Sequence, residues 1–112
     1  MEIIKWNEQE IKNTPHGVDV RQLYNKESAQ VMHITLKPGE SLKPHLTPVD
    51  VFFFILEGKP TIHVGDEEME CNKDILIESP ADILHYISNS SENIARILVV
   101  KAPRPEKATR ML

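Results

Sequence analysis

The chain has 112 residues, enough for one domain of ordinary size and too few for a second. Hydrophobic residues make up 40% and charged residues 27%, the balance of a globular protein, which argues against a disordered or fibrous chain. Thirteen basic residues stand against seventeen acidic ones, and residues 101–112 carry +3 while the first hundred carry -7, so most of the molecule repels a phosphate backbone and nucleic acid is not an expected partner.

From the start, Glu8 to Asn13 predicts one helical turn, followed by a turn at Thr14-Pro15-His16-Gly17. Short β-type runs come next: Val18 to Tyr24, Val31 to Leu36, Val51 to Leu56, Thr61 to Val64, Met69 to Cys71, Ile75 to Ile77, Leu84 to Ile87 and Ile94 to Lys101. Turn formers separate them at Lys37-Pro38-Gly39-Glu40, Gly58-Lys59-Pro60, Gly65-Asp66, Asn72-Lys73-Asp74, Ser79-Pro80-Ala81-Asp82 and Ser88-Asn89-Ser90-Ser91. Strands at this spacing, with no long helical period, predict an all-β sandwich or antiparallel barrel. Residues 1–30 read as strands and turns packing on the barrel, 31–100 as its core, and 101–112 as a basic tail. Pro103 and Pro105 give that tail the look of an extended, solvated exit.

The longest apolar run, Val51 to Leu56, is far below the ~18 residues of a membrane span, so no membrane partner is expected. The first residues lack a basic and then long apolar leader pattern, and the single Cys71 cannot close an internal disulfide. Both point to the cytoplasm. Cys71 itself reads as a small apolar filler.

Strand alternation sorts the side chains by face. Val31, His33 and Thr35 share one side of their strand, and Met32, Ile34 and Leu36 the other. His63 alternates with Ile62 and Val64 and reads as a surface or interface residue. His85 lies between Ile83 and Ile87 and reads as buried, where an imidazole needs a hydrogen-bond partner or a metal. Tyr86 points to the opposite face, Arg21 reads as one half of a surface ion pair, and His16 as a turn residue. Phe52 and Phe54 point away from Phe53, so both faces of that strand need cover, and a homodimer would supply it.

The run from Gly39 through His45 to Phe54-Ile55-Leu56-Glu57-Gly58 resembles the first motif of the cupin superfamily. Gly39, His45 and Gly58 stand at that motif's offsets. The stretch from Lys73-Asp74 to Asn89 is similar to the second motif: Pro80, His85 and Asn89 match, while Lys73 and Asp82 stand where glycines are usual and one extra residue precedes Pro80. The resemblance implies a small jelly-roll barrel enclosing a pocket. It also implies a divalent metal held by three His and one Glu, of which His45 and His85 are retained, with Thr47 and Val51 at the other two positions.

A reduced metal site therefore rests on His45 and His85, completed by Asp50 or by His33, and two imidazoles with an oxygen suit Fe, Mn, Ni, Cu or Zn. On this reading the protein binds a small molecule in its barrel, with metal-dependent oxygenation or isomerisation as the chemistry. The alternative is a metal-free, non-enzymatic ligand-binding or sensor cupin, in which Asp50 caps a turn and the histidines hydrogen-bond within the pocket. The segment from His45 to Val51 separates the two: an inward Asp50 favours metal, an inward Val51 an apolar pocket. A metal-free isomerase with His85 as base is a third option.

Overall fold

Alternating apolar residues between closely spaced turns leave the chain one economical solution, two antiparallel sheets packed face to face. The computed structural model describes residues 1–106 and 110–111, the last two through their backbone alone. Among the described residues one 3-10 turn at Trp6–Glu8 precedes ten strands: β1 Asp19–Lys26, β2 Ala29–Leu36, β3 His45–Leu46, β4 Val51–Glu57, β5 Thr61–Val64, β6 Glu67–Glu70, β7 Leu76–Ser79, β8 His85–Ser88, β9 Ala95–Lys101 and β10 Arg110–Met111. One sheet has the order β1-β2-β9-β4-β7 and the other β10-β3-β8-β5-β6. No helix among the described residues is long and apolar enough to cross a membrane.

The core lies between the sheets. Register fixes which residues face it, because Phe53 pairs with Val99 and Ile55 with Ile97, and Ile97 pairs in turn with Ile34. With Leu36, Ile62 and Ile87 these side chains are at most 8% exposed. Cys71 is buried in the same cluster.

Several expectations need correction. The helical turn falls at Trp6–Glu8 rather than Glu8 to Asn13, because Trp6 packs onto the outer face of the first sheet. Its ring stacks on His33, with centroids 4.2 Å apart, under the Arg96 guanidinium at 4.5 Å. The second strand of the β5–β6 hairpin runs over Glu67–Glu70, not Met69 to Cys71. The hairpin register from Thr61 with Glu70 to Val64 with Glu67 decides this, against a sequence with almost no apolar content there. The tail is not an extended exit. Ala102 N–H donates to Asp50 O, Arg104 N–H to Glu27 O, and Arg110–Met111 pairs with His45–Leu46 as an added strand. Residues 107–109 and 112 lie outside the described part.

The left-handed backbone position before Pro80 is Asp74, with φ 71°, rather than Lys73. Counting from Asp74 removes the extra residue and restores the second motif's spacing. Asp82, at the other usual glycine position, also has positive φ, at 60°, which Asp tolerates better than most side chains. Gly58 has no such latitude. A Cβ there would collide with the Ile94 carbonyl oxygen and approach Ala95 Cα to 2.9 Å.

Candidate functional site

Neighbouring strands of the second sheet place two histidines side by side, since His45 on β3 pairs with His85 on β8. Their rings meet edge to face at 4.5 Å, and the inward Phe53 touches His85 at 5.4 Å. A third imidazole joins them. The β-turn Thr14-Pro15-His16-Gly17, closed by Gly17 N–H to Thr14 O, swings His16 to 5.0 Å from the His45 ring. Its anchor is Lys43, whose backbone N–H donates to His16 Nδ1 at 2.9 Å. That contact spans 27 residues, so nothing local in the sequence marked His16.

Each ring is held differently. His85 is 1% exposed and both its nitrogens are engaged, Nδ1 with Ser79 Oγ at 2.7 Å and Nε2 with Thr47 Oγ1 at 3.1 Å. Thr47 thus occupies the second histidine position of the first motif and bonds to the histidine of the second. His45 donates from Nδ1 to the Lys43 carbonyl at 2.7 Å, because a carbonyl can only accept. Its Nε2 then carries a lone pair with no hydrogen-bond partner among the described residues. Lys101 faces the same interior, opposite Val51.

The three imidazoles are pushed toward their neutral forms. Burial, then the proximity of His45, Lys101 and His16, pushes His85 down to about 3. Burial and the neighbouring His45 push His16 to about 4. Burial also lowers His45, against the opposing pull of its bond to Lys43 O, and burial lowers Lys101.

Two predicted ligands lie elsewhere. Asp50 is exposed, and its Oδ1 accepts the Ala81 N–H at 3.0 Å, capping the loop after β7, while the neighbouring Val51 is the buried, inward residue. Asp50 also lines a groove of about 360 Å³ at the surface beside Ser79 and Ala102. His33 is buried under Trp6 on the opposite face of β2, where Arg96 Nε–H donates to its Nε2 at 3.1 Å. Alternation explains both. Val51 and Ile34 point inward, so Asp50 and His33 cannot.

The metal set expected from the family does not fit these residues. Only His45 and His85 of the four expected ligands meet, both His85 nitrogens are occupied by hydroxyls, and no three His, Cys, Asp or Glu among the described residues are arranged to hold an ion. Other sequence readings place simply. Arg21 forms an ion pair with Asp19 at 2.9 Å, and His63 stacks on Tyr86 at 3.9 Å on the outer face of the second sheet. Asn89, a motif residue, is structural: Nδ2 donates to Leu36 O and Asn93 O, and Oδ1 accepts from Ser91.

Comparison with known proteins agrees with this architecture. The cupin domain model matches residues 32–101. An uncharacterized protein of Methanocaldococcus jannaschii is 33% identical over 89 residues, covering 79% of this chain and 77% of that one. The tetracenomycin polyketide synthase protein TcmJ of Streptomyces glaucescens is 33% identical over 78 residues, covering 66% of this chain; the match spans about half of TcmJ, 52%. A crystal structure of a Thermus thermophilus protein superposes with a TM-score of 0.80 at 29% identity, covering 94% of this chain and 100% of that one. The family model, the two-sheet barrel and the paired His45 and His85 together make the chain a member of the cupin family.

Proposed function

We propose that the barrel binds a small organic molecule at the neutral histidine cluster, without the three-His, one-Glu metal set, and that His45 Nε2 receives the ligand's proton donor. One observation carries this. The Nδ1–H of His45 is spent on Lys43 O, which leaves Nε2 as a fixed lone pair beside His85. The buried, inward-facing Val51, Phe53 and Val99 are apolar neighbours that suit a carbon skeleton, and the likeness to a polyketide synthase protein supports an organic ligand. For a ligand with an acidic C–H or O–H, the same lone pair is the base. His85 is the poorer choice, because Thr47 and Ser79 already bond to it.

Phenol serves as the test probe, read through the side-chain nitrogen resonances of the histidines. Phenol should shift His45 Nε2 in the wild-type protein and leave His45→Phe silent. Iron, manganese, nickel, copper or zinc bound near one per chain, and lost in a His45→Ala, His85→Ala variant, would overturn the metal-free reading. The half-buried Phe52 and Phe54, with Val100 and Leu98 opposite them on β9, leave an apolar stripe on the outer face of the first sheet. A second copy of the chain is our proposed cover for it. Light scattering at micromolar concentration checks this, and a monomer would refute it.

A further inference from the structure

His16 and His45 are the same side chain in opposite chemical forms, and one residue sets both. Lys43 N–H donates to His16 Nδ1, and Lys43 C=O accepts from His45 Nδ1–H. An amide N–H only donates and a carbonyl only accepts. Neutral His16 therefore carries its proton on Nε2, and neutral His45 carries its proton on Nδ1. The two outer nitrogens are left as one donor and one acceptor, on rings 5.0 Å apart and inclined at 60°. Neither has a hydrogen-bond partner among the described residues.

We propose that this pair selects a ligand bearing both a hydroxyl and a carbonyl group, the hydroxyl donating to His45 Nε2 and the carbonyl accepting from His16 Nε2–H. The inference rests on the barrel being a small-molecule site, and it assigns to His16 a specificity role. The apolar inner face, with Phe53 against His85, matches in polarity the skeleton that joins the two polar groups.

Three matched probes test the pair: meta-hydroxyacetophenone, its meta-methoxy analogue, which lacks the donor, and meta-ethylphenol, which lacks the acceptor. Each lost hydrogen bond is expected to weaken binding about threefold to tenfold. In His16→Phe the hydroxyketone should fall to the affinity of meta-ethylphenol, whose own binding stays unchanged. In His45→Phe it should fall to that of the methoxy analogue.

Long-range proton–nitrogen NMR on the wild-type protein supplies a measurement that needs no variant. It should find the proton of His16 on Nε2 and that of His45 on Nδ1. The opposite tautomer at either ring overturns the proposal. So does an equal loss for all three probes in His16→Phe, which leaves the small-molecule site standing without a donor–acceptor pair. If no probe perturbs His45 at all, the small-molecule reading falls with it.

Discussion

Replacing Thr47 by valine tests the hydrogen-bonded core of the site most directly. Valine keeps the shape of threonine and removes one hydroxyl. Thr47 and His85 are each 1% exposed, so water does not replace the lost partner and His85 Nε2 is left buried and unpaired. Such a group costs about 1–3 kcal/mol. A domain of this length unfolds with an entropy of ~0.24 kcal/mol/K, so about 2 kcal/mol lowers Tm by ~8 °C. Thermal and urea unfolding at neutral pH give the number. The same change in a His85→Phe background should be nearly neutral, since it then removes an orphaned hydroxyl, and the coupling between the two changes should exceed about 1 kcal/mol. Equal losses in both backgrounds would show that Thr47 acts by packing and not through His85.

Acid should destabilise the protein earlier than carboxylates alone would. His33 and His85 are held at about 4 and about 3, against 6.5 in the unfolded chain, so the unfolded state binds more protons as pH falls below about 6.5. Stability is complete above that pH and declines with falling pH until the folded values are passed, at up to ~1.4 kcal/mol per pH unit for each histidine. Urea midpoints measured from about pH 7 to about pH 5 check this; a constant midpoint contradicts it. Gly58→Ala should cost more than about 3 kcal/mol, since both the positive φ of 82° and the Ile94 carbonyl oppose a methyl group, and a soluble, stable variant would show that the turn can shift. Thr47→His with Val51→Glu rebuilds the family's ligand set on inward positions, and should raise bound metal to about one per chain by mass spectrometry. Failure to gain metal would place those side chains off the site.

Much of the architecture was legible because the residues that build it act locally. Gly58 sits where a side chain cannot fit, Asn89 ties its own loop, and β4 and β9 alternate cleanly between buried and half-buried positions. Even the departures from the motif kept their backbone role, with Asp74 and Asp82 taking left-handed conformations where glycine is usual. The buried state of His85 was readable from its aliphatic neighbours. Its partners were less so: Thr47 and Ser79 are inconspicuous hydroxyls until the strands bring them to the ring. His16 was unreadable, because its position depends on a bond from a distant turn to Lys43. His33 and Asp50 look like ligands by residue type, and strand alternation puts both outside the barrel. The β10 strand pairs two residues across a gap of more than sixty, which no short-range pattern could announce.

The exposed hairpin strand β6 has a consequence for how copies of this protein meet. It is the last strand of its sheet, so one row of its backbone groups faces no neighbouring strand among the described residues, and an open strand edge is a template for another chain. Three of its four residues, Glu67, Glu68 and Glu70, are exposed carboxylates. Two such edges approaching each other bring six negative charges into a narrow strip, and fibril-like stacking along this direction is repelled before backbone bonds can form. The protection is electrostatic and therefore has a range, about 10 Å at ~0.1 M salt and roughly a third of that at ~1 M. Concentrated salt removes the guard from this edge without altering the fold behind it.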